Sequence, residues 1–256
     1  MTDPRGRSEP RSRAFGDAAQ EYDRVRLSPP PEAVRWLVSP GSTLVLDLAA
    51  GTGQLCRRLE GMDVGFVAVE PDERMRAVLL ERSPGARVLA GLAENIPLRD
   101  QSVDAVVVGS AWHWFNPGRA LAEVARVIRD GGSLGVIGTS PDPFVAWVNE
   151  LFGTEADPHR RKVRETYADV SLPPEAPFGP VSTASFSSSV TMPVDQVLAL
   201  FATHSNYLVA TDEEKAELDR HATEVLSGHT GDAGAVELPV QSWGWRTERA
   251  RRPGRP

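Results

Sequence analysis

The sequence predicts an open α/β fold in which a mostly parallel sheet is covered by helices on both faces. Three observations carry this expectation. Between Thr43 and Gly138, short β-branched runs alternate with amphipathic stretches, as they do in βαβ units. The runs are apolar at consecutive positions, as strands enclosed between two helical layers are. A Gly-X-Gly turn, Gly51-Thr52-Gly53, follows the first run and opens the next amphipathic stretch.

The elements follow in chain order. Ala14 to Val25 and Pro31 to Val38 read as two helices ahead of the first strand, the second opening on prolines that suit a helix N-terminus. Leu44 to Leu48, Gly65 to Glu70, Arg87 to Ala90, Val103 to Gly109 and Ser133 to Gly138 read as five strands. Gln54 to Glu60, Asp72 to Arg82 and Pro117 to Arg129 carry apolar residues at helical spacing between them. In the last of these, Ala120, Leu121, Val124, Val127 and Ile128 make one stripe, and Asp130-Gly131-Gly132 supplies a stop and turn. Beyond the fifth strand the order changes character. Phe144 to Phe152 reads as a helix, Leu172 to Pro180 as an irregular Pro-rich stretch and Thr183 to Val190 as a strand. Pro193 to His204 and Asp212 to Leu226 follow as helices, and Ala235 to Trp245 as a final strand.

At 256 residues the chain suits one domain with an insertion. A net charge of −7 argues against a nucleic-acid binder, which needs a basic face, and no run is apolar for long enough to span a membrane. The single cysteine, Cys56, excludes an internal disulfide framework and a Cys-rich metal site and points to a cytoplasmic setting. Residues 1–13 lack the apolar core of a secretory signal and read as a disordered lead-in, and the basic stretch 246–256 reads as a disordered tail.

The glycine turn is a place where backbone can approach a ligand, with helix N–H groups behind it. Glu70, at the end of the second strand, is placed for both hydroxyls of a ribose. Leu92-Ala93-Glu94, after the third strand, can meet an adenine edge. Asp47, beside the turn, would repel a pyrophosphate but suits a cationic ligand. A dinucleotide is disfavoured further because the third glycine of that fingerprint is replaced by Cys56, and no Gly-Lys-Ser/Thr sequence follows to make a phosphate loop.

The ordered blocks VLDLAAGTG, AVEP at 68–71, GLAENIPL at 91–98, SVDAVVVGSAWHWF at 102–115 and EVARVIRDGGSLGVI at 123–137 resemble the class I S-adenosylmethionine-dependent methyltransferases. The likeness is greatest to the small-molecule branch that includes trans-aconitate-type enzymes. It spans Phe15 to Gly138 in ordered blocks and, more loosely, the C-terminal third. The resemblance implies a Rossmann-like sheet of seven strands with an antiparallel last strand and a helical cap. Residues 14–40 would supply cap helices, 41–140 the cofactor core, 141–234 substrate-side insertions and 235–245 the last strand. It implies that S-adenosylmethionine is the cofactor and S-adenosylhomocysteine the product, with Asp47, Ala49, Gly51 and Gly53 along its amino-acid end. Glu70 and Pro71 would lie at its ribose, Ala93 and Glu94 at its adenine, and Ser110 to Trp112 near the sulfonium. Ala49 departs from the family pattern, which has glycine there.

Tyr22 and Arg26 resemble N-terminal family positions in a segment that closes over the cofactor, with Tyr22 assigned to the cofactor and Arg26 to the substrate. Trp112, Trp114, His204 and Tyr207 are further candidates for the substrate side. His113 is a candidate general base or donor, a packing imidazole being the alternative. His159, Arg160 and Arg161 read as a solvated face, and His221 and His229 lack metal-ligand partners at useful spacing, so no metal is assigned. The expected reaction is methyl transfer to a small acceptor, first of all an oxygen and with carboxylates among the candidates. An NAD-dependent oxidoreductase and a non-catalytic cofactor-binding protein stay open as readings from other classes. The oligomeric state is left as monomer or homodimer.

Overall fold

The computed structural model describes residues 19–153, 167, 170, 172–203, 207 and 210–250. Its sheet has seven strands in the order β3-β2-β1-β4-β5-β7-β6. They are β1 (Leu44–Leu48), β2 (Gly65–Val69), β3 (Arg87–Leu89), β4 (Val103–Gly109), β5 (Ile128–Pro141), β6 (Ser182–Pro193) and β7 (Ala235–Glu248). β1 to β5 pair in parallel, and β7 runs antiparallel to both β5 and β6, so β7 alone is reversed. This is the Rossmann-like arrangement expected, with the reversed strand wedged in from the far end of the chain.

The helices among the described residues are α1 (Ala19–Val25), α2 (Pro31–Leu37), α3 (Gln54–Glu60), α4 (Glu73–Arg82), α5 (Pro117–Val127), α6 (Ala146–Phe152), α7 (Val194–Ala202) and α8 (Asp212–Ser227). The consecutive apolar residues of the inner strands divide between two cores. Leu46, Leu48, Val106 and Val108 face one side with Ala120, Leu121 and Val124 of α5, whereas Val45, Ala105 and Val107 face the other with Val34 and Leu37 of α2 and Leu55 and Leu59 of α3. Two-sided burial is why these strands show no polar alternation. A third cluster joins α6, α7 and α8 to β6 and β7 through Val148, Phe152, Leu200, Phe201, Leu226 and Leu238, and forms the cap. α8 opens on a complete capping box in which Thr211 and Glu214 exchange hydrogen bonds.

Three elements differ from the sequence expectation. α5 stops at Val127 and β5 starts at Ile128, which pairs with Val103; Asp130-Gly131-Gly132 then forms an irregularity inside the strand, where the register shifts between Val103 and Ala105. Gly131 takes φ +82° there, and a Cβ on Gly132 would lie 2.3 Å from the Asp104 carbonyl oxygen. β7 runs on through Arg246, Thr247 and Glu248, so the basic stretch does not begin as a free tail. Arg246 donates from Nη1 to the Trp36 carbonyl at 2.8 Å, and Arg249 is buried, donating to the Ile128 carbonyl and pairing with Asp130 at 3.1 Å. Lastly, Trp112–Trp114 form a 3₁₀ turn between β4 and α5. Residues 14–18 of the first expected helix lie outside the described residues, as do His159, Arg160 and Arg161.

Candidate functional site

The site is built where β1, β2, β3 and β4 end, on the carboxyl edge of the parallel strands. In open α/β sheets this is where ligands bind. After β1 the backbone enters left-handed conformations three times, at Ala49 (φ +56°), Gly51 (φ +58°) and Gly53 (φ +88°), before α3 starts at Gln54. A Cβ on Gly53 would stand 2.8 Å from Leu79, so glycine is needed there for packing as well as for φ. At Gly51 a Cβ would meet nothing within 4 Å. That glycine leaves open space beside the turn.

Glu70 ties this turn to the next one. Its Oε2 accepts from the Gly51 amide at 2.9 Å and its Oε1 from the Asp72 amide at 2.9 Å, with the residue only 7% exposed. Burial raises its proton affinity, partly offset by those two amides. Asp72 in turn caps α4 through the amides of Arg74 and Met75. Pro71, between the two acids, is exposed. Each Glu70 oxygen keeps a second lone pair for a ligand hydroxyl.

Asp47 is 1% exposed in β1. Its Oδ2 accepts from the Cys56 thiol at 3.1 Å, while Oδ1 has no hydrogen-bond partner among the described residues. Burial pushes Asp47 up to about 7; the Cys56 contact lowers it and the charge of Glu70 adds to the rise. The Cys56 thiol is pushed far up by the same burial and by Asp47. A buried carboxylate oxygen without a partner is completed by a cation or an N–H donor, so the residues here fit the ammonium-bearing S-adenosylmethionine.

The loop after β3 is held from α5. Ala93 is buried, and Glu94 accepts the Asn116 amide at 2.7 Å. Arg126 places all five of its donors. Nε and Nη2 reach the two Glu123 oxygens at 2.7 and 2.8 Å, Nη2 also reaches the Ile96 carbonyl at 2.8 Å, and Nη1 reaches the Leu98 carbonyl at 2.8 Å and Asp100 at 2.9 Å. Glu123 returns to the loop by accepting the Ile96 amide at 2.8 Å. Sequence reasoning missed this residue; the signal available was an acid and a base three apart on a helix.

At the end of β4, Ser110 takes φ +53° and donates its amide to the Ile137 carbonyl at 2.7 Å. His113 and Trp114, both half-buried, follow with ring centroids 4.5 Å apart. His113 Nδ1 lies 3.2 Å from the hydroxyl of Tyr167, a buried residue that sequence reasoning did not single out. Gly138 makes room for Tyr167, since a Cβ there would come within 2.8 Å of its ring. Trp112 is 7% exposed and packs edge-on against Trp245 at 5.1 Å and Phe115 at 5.5 Å, within the same apolar cluster as Ala93 and Tyr167. Tyr207 likewise packs in the cap, 5.7 Å from Phe201, and donates its hydroxyl to Asp219 at 3.1 Å. Arg26 is half-buried just beyond α1; Tyr22 lies within α1 with its side chain outside the described residues, as is all of His204. The described residues hold no group of His, Cys, Asp or Glu that could bind a metal, and no helix among them is long and apolar enough to cross a membrane.

The methyltransferase-domain family profile matches residues 46–136, the stretch from β1 through β5 that builds this edge. An uncharacterized methyltransferase of Mycobacterium tuberculosis is 42% identical over 212 residues, which cover 75% of this chain and 87% of that protein. The chain belongs to the class I S-adenosylmethionine-dependent methyltransferases. A structure from Anaeromyxobacter dehalogenans named for a type II methyltransferase overlays this methyltransferase with a TM-score of 0.67, at 27% identity and over 88% of this chain and 97% of that one. A malonyl-[acyl-carrier protein] O-methyltransferase of Methylococcus capsulatus is 33% identical over 132 residues, covering 47% of this methyltransferase and 48% of that enzyme.

Proposed function

We propose that this methyltransferase transfers the methyl group of S-adenosylmethionine to an oxygen of a small acceptor, a carboxylate first of all. The observation that carries the cofactor half is the pair of buried acids at the glycine turn. Glu70 bridges the amides of Gly51 and Asp72, and Asp47 keeps one oxygen without a partner. In this reading Glu70 takes the ribose hydroxyls, and Asp47, Ala49, Gly51 and Gly53 border the amino-acid end. Pro71 lies beside the ribose, Ala93 and Glu94 border the adenine, and Ser110 borders the sulfonium. When bound, S-adenosylmethionine supplies an electrophilic methyl on a positively charged sulfur.

The protein's share of the work is alignment and exclusion of water, which suffice for an in-line displacement. A carboxylate acceptor is already ionised at neutral pH and needs no base. His113, held at Nδ1 by Tyr167, would then orient the acceptor, with Trp114 beside it. Arg26 would add a cationic group on the same side. The partial likeness to an O-methyltransferase supports oxygen as the attacking atom.

The test is label transfer from S-adenosylmethionine carrying a tritiated methyl to matched panels of carboxylic acids, phenols and amines. Base-labile label in the carboxylic-acid panel is the expected result. Label confined to base-stable amine or carbon products would overturn the oxygen reading.

A further inference from the structure

The short helix α1 is fastened to the cofactor side of the molecule by one buried acid. Asp23 has a side chain only 7% exposed, although α1 is seven residues long and mostly polar. Its Oδ1 accepts from Arg57 Nη2 at 2.8 Å and its Oδ2 from Arg82 Nε at 3.1 Å, joining α1 to α3 and α4 at once. Arg57 uses its other terminal nitrogen on the Thr52 carbonyl at 2.9 Å, inside the glycine turn. Gln54, the first residue of α3, donates to the Asp23 carbonyl at 3.3 Å and accepts from the Ser28 hydroxyl farther along the strap. The Asp23 carboxylate is therefore one guanidinium away from the turn itself.

We propose that Asp23 is a positioning residue for the cofactor, holding the strap of α1 and the residues to Ser28 closed on the glycine turn and so setting how fast the cofactor leaves. A seven-residue helix does not persist by itself in water, so tertiary contacts decide where it sits. Its apolar contacts are divided. Ala19 packs on Met75 and Val78 of α4, while Val25 and Leu27 enter the cap cluster. The polar tie at Asp23 joins the strap to α3 as well as to α4, where the apolar contacts reach only α4 and the cap. Removing its charge leaves two guanidiniums without their shared partner and raises the fraction of open strap, and apparent affinity falls with that fraction.

The inference rests on the cofactor lying at the turn, and the experiment separates the two. S-adenosylhomocysteine binding and dissociation are measured on the full chain for wild type, Asp23→Asn, Asp23→Glu and Arg82→Gln, with tryptic cleavage after Arg24 and Arg26 followed in parallel. Asp23→Asn is expected to bind about tenfold more weakly, through faster dissociation, and to lose ligand protection at the two arginines. Asp23→Glu, which keeps the charge, is expected to return within about threefold of wild type, and Arg82→Gln to weaken binding about threefold in the same direction. A folded Asp23→Asn with wild-type affinity and dissociation rate overturns the proposal. Should that variant fail to fold, an unchanged dissociation rate in Arg82→Gln overturns it instead. A wild-type chain that binds no S-adenosylhomocysteine removes the cofactor assignment itself and this inference with it.

Discussion

Asp47 sits at the centre of the site's electrostatics. A carboxyl whose ordinary value is near 3.8 is pushed by burial up to about 7, with Cys56 and Glu70 as the titratable groups acting on it. The folded chain therefore holds this proton over a range in which the unfolded chain has lost it. The group's contribution to stability is complete below about pH 4, falls as pH rises from about 4 to about 7, and is flat above that. Urea denaturation at pH 5 and pH 7 should show Asp47→Asn abolishing a pH-dependent loss of about 2 kcal/mol in the unliganded protein. Equal slopes in the two proteins would disprove the assignment. A ligand ammonium beside Asp47 favours the ionised carboxylate, so affinity for S-adenosylhomocysteine, which keeps that ammonium, should rise with pH up to about 7 in the wild type only.

Two residues away, Ala49 occupies φ +56°, a conformation that an L residue adopts at a cost of roughly 1–2 kcal/mol. Ala49→Gly relieves that strain but loosens the unfolded chain, and should leave a net gain of about 0.5–1 kcal/mol. Thermal denaturation reads this directly, and a fall in Tm would contradict it. From the sequence, Ala49 was visible only as a departure from a pattern; its backbone angle supplies the physical reason for the pattern.

Among the elements, the loop that follows β3 depends on α5 for its shape. Arg126→Ala removes the guanidinium from the carbonyls of Ile96 and Leu98 and from both Glu123 oxygens, leaving Glu123 Oε2 with only the Ile96 amide and the Ile96 carbonyl with only the Leu98 amide. The side chain is 30% exposed, so water replaces part of the loss, and about 2 kcal/mol of destabilisation is expected. Cofactor affinity should fall with it, while Arg119→Ala, on the same helix, should change neither. Calorimetric binding and urea denaturation of the two variants distinguish loop support from a general effect on α5.

The inner strands were legible in the sequence because enclosure between two helical layers writes an unbroken apolar run. The junction at Ile128 was not, since a stripe continuing through Val127 and Ile128 looks the same whether the chain stays helical or turns to pair with Val103. Arg246 to Glu248 read as tail because arginines ordinarily seek solvent. Here Arg246 lies 5.2 Å over the Trp36 ring and is satisfied by a backbone carbonyl, a partner 210 residues away that no local pattern announces.

For the molecule as a whole, the sheet lies between the edge that carries the glycine turn and a cap, with α1 tied to α3 and α4 on one side and packed in the cap cluster on the other. The acids and glycines that meet at the carboxyl edge of the parallel strands were readable as neighbours because each lies at or just after the end of a strand at a fixed place in the topology. The surroundings of His113 were not, because they are assembled from distant segments; Tyr167 reaches His113 from 54 residues away, and Trp112, adjacent in sequence, packs in the core. Since folding builds the cofactor site, its ligand should stabilise the entire domain. S-adenosylhomocysteine at about a hundred times its Kd should add about 2.7 kcal/mol and raise Tm by roughly 5–10 °C. An unchanged Tm at that concentration would mean that the folded chain does not bind it.

The placement of β7 has a consequence for biosynthesis. β6 meets the sheet only through β7, and β7 meets it only through β5 and β6. During translation, then, the segment from Ser182 to Pro193 must remain unzipped until residues beyond Ala235 clear the ribosome, and the β5 border stays bare over the same interval. A stalled or clipped nascent chain lacking that closing strand would present two unsatisfied borders at once, making late synthesis the stage at which this polypeptide most needs a chaperone.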